Sequence, residues 1–165
     1  MMRSLAFATL LAAAACGPGA KGGPSMNNSM IGSQQTQTQT VESREILDRE
    51  PRANSTKVKH ILISWKDKSN AFGSGADPRS LERTKLDAER EVRSLQQQLA
   101  AGADFDTLMK AHSEDRGSAA TAEAYDVSPD AQLVIEFRQL GLRLDVGEVG
   151  VVESDFGFHI IKRIE

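Results

Sequence analysis

The period of the apolar positions changes several times between Lys57 and Glu165, and each change predicts an element. Val58 to Ser64 is a short, β-branched and largely apolar run. A strand there places Val58, His60 and Leu62 on one face and Lys59, Ile61 and Ile63 on the other. Asp77-Pro78 supplies an N-cap and an N1 proline, which predicts one helix running to about Ala101. Ala88, Val92, Leu95 and Leu99 form its single apolar stripe, and Gly102 stops it. Asp104 caps a short helix through about His112, with Phe105, Leu108 and Met109 inward. Ser128-Pro129-Asp130 predicts a third helix carrying Leu133, Phe137 and Leu140 at i, i+4 and i+7. Val149 to Val152 reads as a strand, Phe158 to Ile164 as the closing one, and a short strand fits near Tyr125. The closing strand is apolar on both faces, which suits a central position. Helices segregated around a small, mostly antiparallel sheet make an α+β layout.

Upstream of this region no face can be buried. Gly17 to Pro24, a Ser/Asn/Met stretch and Gln34-Gln-Thr-Gln-Thr-Gln-Thr40 show neither a 2.0 nor a 3.6 period, the pattern of a solvated tether. Its coil reach is about 30–35 Å. Val41 to Arg49 has weak helical anchors in Ile46 and Leu47. Before the tether, Arg3 and the apolar run Leu5 to Ala15 read as a secretory signal, too short to span a bilayer. The sole cysteine, Cys16, follows directly. Leu11 to Cys16 resembles the lipobox of bacterial lipoproteins, although Ala13 stands where leucine is usual. That resemblance implies cleavage before Cys16, lipidation there, and a chain anchored in the bacterial cell envelope. Gly17 after the cysteine favours the outer membrane, with the domain on the periplasmic face. The alternative is an ordinary signal peptide cut near Ala15, leaving a free thiol. The expected divisions are therefore 1–15 (signal), 16–54 (lipidated cysteine and tether) and 55–165 (folded domain).

Composition narrows the function classes. A net charge of −3 argues against the basic face that nucleic acid requires, and with 5% aromatics no base-stacking platform is visible. No His/Cys cluster has ligand spacing, so neither a metal nor another cofactor is expected. His60 and His159 each sit at the start of a β-branched run. If those strands are neighbours, the two imidazoles meet.

Several segments carry a family resemblance. They are Val58-Lys-His-Ile-Leu-Ile63, Gly102-Ala-Asp-Phe-Asp-Thr-Leu108, Ala111-His-Ser-Glu-Asp115, Phe137, Gly147-Glu148-Val149 and Ser154-Asp-Phe-Gly-Phe-His-Ile-Ile-Lys-Arg163. Together they resemble the parvulins, peptidyl-prolyl cis/trans isomerases. The resemblance implies an FKBP-like four-stranded, mostly antiparallel sheet flanked by about four helices. It also implies a monomer acting on proline-containing segments of unfolded or exported proteins. Carried over by position, His60 and His159 are the paired strand histidines beneath the site. Asp115 stands beside the substrate's prolyl bond, and Ser154 completes the polar network. Leu133 and Phe137 hold the proline ring, and Phe158 or Tyr125 closes the rim.

Two departures bear on activity. Parvulins carry a Gly-Gly-Asp-Leu-Gly-Trp/Tyr stretch after the aspartate, whereas this chain reads Ala119-Ala-Thr-Ala-Glu-Ala-Tyr-Asp-Val127. The loop after the first strand offers only Lys66, Lys68 and Arg79, so no phosphoserine selectivity is expected. Two function classes stand: an envelope-anchored isomerase, and a parvulin-fold peptide-binding or chaperone module without catalysis.

Overall fold

The computed structural model describes residues 40–165. Four strands form one antiparallel sheet: β1 (Thr56–Ile63), β2 (Tyr125–Val127), β3 (Val149–Ser154) and β4 (Gly157–Arg163). Their order is β2-β1-β4-β3, so the strands that carry His60 and His159 are neighbours. The alternation predicted for β1 holds. Ile61 and Ile63 face one layer, where Val151, Phe158 and Ile160 pack against Ala88, Val92, Leu95, Phe105 and Met109. Val58 faces the other, with Val127, Val152, Ile161, Phe137 and Leu140.

Six helices flank the sheet: α1 (Arg44–Leu47), α2 (Pro78–Glu82), α3 (Lys85–Ala100), α4 (Phe105–His112), α5 (Arg116–Thr121) and α6 (Ile135–Gly141), with a 3-10 segment at Ser69–Gly75. The long helix expected from Asp77 to Ala101 is two. Arg83 is extended, and Thr84 starts α3 with a capping box in which its side chain and Asp87 bond each other's backbone. The guanidinium of Arg83 turns instead toward Ser64 O and the carboxylates of Glu91 and Glu114. The third helix starts later than Ser128. Ser128 Oγ bonds Asp130, and α6 begins only at Ile135. Leu133 therefore lies in the approach to α6, while Phe137 and Leu140 are buried on it as expected.

The folded domain also begins earlier than the expected boundary at 54/55. Val41 and Ile46 are buried. Ser43 N–H donates to Val151 O at 2.9 Å, and Val151 N–H donates to Ser43 Oγ at 3.0 Å. Arg52 N–H donates to Leu142 O at 2.7 Å. β3 is an edge strand, and residues 41–43 occupy its open side, which blocks edge-to-edge pairing. Two apolar residues in a polar stretch are too weak a periodic signal to reveal this. Cys16, the signal segment and most of the tether lie outside the described residues.

Candidate active site

The register of β1 and β4 sets the site. His60 is opposite Ile161 and His159 is opposite Leu62, so the two histidines are diagonal neighbours on one face. Their rings stack at 5.4 Å between centroids, and Nδ1 of each is 3.2 Å from the other. Asp115 follows α4 and caps α5, accepting Gly117 N–H at 3.0 Å through Oδ1. Its Oδ2 lies 2.9 Å from His60 Nε2 and accepts from Tyr125 OH at 2.7 Å. At the other end, Ser154 Oγ is 2.7 Å from His159 Nε2 and accepts Phe156 N–H at 3.1 Å.

One proton assignment satisfies all of these atoms with both imidazoles neutral. A carboxylate only accepts, so His60 donates from Nε2 and accepts at Nδ1. His159 then donates from Nδ1 and accepts at Nε2, where Ser154 Oγ–H donates. Donors thus run in one direction, from Phe156 N–H through Ser154, His159 and His60 to Asp115. Tyr125 arrives from the opposite side.

The electrostatics follow from this arrangement. The His60 hydrogen bond, with Tyr125 and the Gly117 N–H, holds the Asp115 carboxyl well below the usual carboxylate range against its own burial. Burial and the adjacent Asp115 push the Tyr125 phenol above its ordinary value. Burial, with the neighbouring His60, lowers His159 to about 3. Near neutral pH the site therefore holds an aspartate anion, a neutral tyrosine and a neutral His159.

Two clefts open on either side of Asp115. One of about 200 Å³ is lined by Leu133, Val134, Phe137, Tyr125 and Phe156 over His60 and His159. The other, of about 330 Å³, is lined by Leu62, Phe72, Gly75, Arg116, Gly117 and Phe156. Phe137 sets its ring edge-to-face on both imidazoles, at 5.1 and 5.4 Å. The structure therefore brings together His60, Asp115, Ser154, His159, Leu133, Phe137 and Tyr125.

Phe158 is not among them. It is 1% exposed on the opposite face of the sheet, 5.0 Å from the Trp65 ring. Strand alternation requires this, since its neighbour His159 faces the site. The aromatic at the rim is Phe156, which lines both clefts and packs edge-to-face on Phe72 at 5.3 Å. Its signal in the sequence was an aromatic residue in the turn between two apolar strands. The segment that lacks the usual glycines, Ala119 to Val127, supplies the last three residues of α5, turns at Ala122 with φ 55°, and ends as β2. Among the described residues no three His, Cys, Asp or Glu side chains converge as metal ligands. No described helix is long and apolar enough to cross a membrane.

The fold has counterparts among solved structures. The solution structure of TbPIN1 superposes with a TM-score of 0.58 at 24% identity, covering 68% of this chain and 99% of that one. The prolyl isomerase ESS1 from Candida albicans gives 0.56 at 21% identity, covering 68% and 63%. In sequence, the chain is 36% identical to the foldase protein PrsA of Geobacillus kaustophilus over 45% of its length, and 32% identical to the chaperone SurA of Nitrosospira multiformis over 68%. Those matches cover 27% and 22% of the two relatives, so the chain spans about a quarter of their length. The model of the PPIC-type PPIase domain matches residues 42–165. That match spans nearly all the described residues and includes the segment at the edge of β3. The chain belongs to the family of PPIC-type peptidyl-prolyl isomerase domains, the parvulins.

Proposed function

We propose that this chain is a peptidyl-prolyl cis/trans isomerase acting on proline-containing segments of exported proteins, held in the bacterial cell envelope by a lipid on Cys16. One observation carries the catalytic part: a charged Asp115 stands at the mouth of an apolar cleft that Leu133, Phe137, Tyr125 and Phe156 line. The reaction breaks no σ bond. Its barrier of about 20 kcal/mol is lost amide resonance as the C–N bond twists. A planar amide carries more negative charge on its oxygen than a twisted one. A fixed carboxylate beside that oxygen disfavours the planar form, and an apolar slot holds the ring through the rotation. His60, His159 and Ser154 hold Asp115 in place and need not touch the peptide.

A second reading rests on the segment from Ala119 to Val127. Where the family has a glycine-rich stretch, this chain has an alanine-rich one that ends α5 and leads into β2, and a changed wall suits a module that binds peptide without turning it over. Exchange spectroscopy on an Ala-Pro peptide with the chain from residue 17 onward separates the two. Acceleration of cis/trans exchange supports the isomerase. Peptide shift changes with an unaltered exchange rate contradict it and leave the binding module. Radioactive palmitate incorporation tests the anchor, and a label that survives Cys16→Ser overturns it. The names foldase and chaperone carried by the relatives fit a role on unfolded chains.

A further inference from the structure

We propose that Glu114 is a positioning residue for the site: its carboxylate, braced by Arg83, docks the Asp115 segment onto the open end of β1 and so sets Asp115 against His60 and Tyr125. The inference rests on the isomerase reading only for its kinetic readout.

β2 covers β1 only from Thr56 to Val58, so the later part of that edge lacks a partner strand. The segment after α4 takes its place. Leu62 N–H donates to Ser113 Oγ at 3.1 Å, and Glu114 N–H donates to Leu62 O at 2.9 Å. Ser64 N–H donates to Glu114 Oε2 at 2.7 Å, while Arg83 donates to Ser64 O at 2.7 Å. Glu114 and Arg83 thus behave as a side-chain strand, and they bond each other across it. Both ions are shielded, with side-chain exposures of 1% for Glu114 and 10% for Arg83.

A buried ion pair is a poor source of stability, because desolvation offsets the attraction. What this one fixes is a position. Asp115 is the next residue after Glu114, and its Oδ2 must meet His60 Nε2 and Tyr125 OH at once. Glu91 belongs to the same ion network, bonding Arg83 and His112, but it makes no bond to the β1 backbone.

The chain's only tyrosine reports on Asp115 directly, because the Asp115 charge contributes to the raised Tyr125 value. Glu114→Gln is expected to leave a cooperatively unfolding protein. Its Tyr125 phenol should titrate at lower pH than wild type, and exchange catalysis should fall about tenfold. Glu91→Gln should lower stability while leaving both quantities as in wild type. The proposal is overturned if folded Glu114→Gln keeps the wild-type titration, or if Glu91→Gln shifts it equally. Should Glu114→Gln not fold, Arg83→Lys reads the same quantities. A smaller shift in the same direction supports the proposal, and none overturns it. If the wild type catalyses no exchange, the isomerase reading fails while the titration still decides this one.

Discussion

Tyr125 OH and His60 Nε2 converge on a single oxygen of Asp115, at 2.7 and 2.9 Å. The two donors come from adjacent strands, β2 and β1, and they fix both the charge and the direction of the carboxylate. Asp115→Asn removes the charge with little change of shape. Exchange catalysis should fall at least about tenfold, equivalent to about 1.4 kcal/mol of barrier. Ultraviolet titration should show Tyr125 ionising nearer its ordinary value. A folded variant with an unshifted phenol would contradict the network.

The buried imidazole makes the fold acid-sensitive. His159 titrates at about 3 in the native protein against an ordinary 6.5. Between those values the unfolded chain binds a proton that the native chain does not, so stability falls as pH drops through that window. The slope approaches ~1.4 kcal/mol per pH unit. The depressed Asp115 adds its own loss once pH falls below the ordinary carboxylate value. Denaturant unfolding between pH 7 and 4.5 should show this slope, and His159→Gln should flatten it.

Phe158 and Leu133 should behave in opposite ways. Phe158→Ala opens the core beneath Trp65 and should cost about 3–5 kcal/mol, while the remaining folded protein still binds peptide. Leu133→Ala, at a half-buried position on the cleft, should change stability little and weaken peptide binding several-fold. Thermal melts and peptide titrations check both. Loss of peptide binding in folded Phe158→Ala would restore it to the rim.

The contrast shows what the residues disclosed and what they concealed. The strands of His60 and His159 were legible as short β-branched runs, in which successive side chains alternate between the two faces of a sheet. Asp115, Ser154, Phe137 and Tyr125 were legible only through the family resemblance, because no periodicity in the sequence assigns them to a common site. Phe158 was misplaced although the same alternation assigns it away from His159; the resemblance had obscured that geometry. The break at Arg83-Thr84 was concealed because Asp77-Pro78 is a strong start signal and the stripe from Ala88 onward continues without a phase cue. Arg83–Glu114 was concealed because each residue looks like a solvated charge until tertiary packing brings them together across β1.

The β3–β4 turn tolerates no side chain at Gly157. A Cβ there would lie 2.6 Å from Ile63 O and 2.9 Å from Ser64 Cα, at φ +134°. Gly157→Ala should cost more than ~2 kcal/mol through clash and backbone strain together. A melt within a few degrees of wild type would mean that β1 and β4 pack differently at this end.

Truncation tests where the domain begins. Removing residues up to 54 strips Val41, Ser43 and Ile46 from the sheet and reopens the β3 edge. A chain starting at 55 should melt at lower temperature than one starting at 40 and should associate more readily, seen by light scattering. Equal melting of the two would place the boundary back at 54/55.

The most direct test of the account compares two proteins in one exchange experiment. Wild type, in catalytic amount, should speed cis/trans exchange of an Ala-Pro peptide, and folded Asp115→Ala should lose most of that acceleration. Equal acceleration by the two would contradict the assignment of catalysis to Asp115. No acceleration by wild type at high concentration would contradict the isomerase itself.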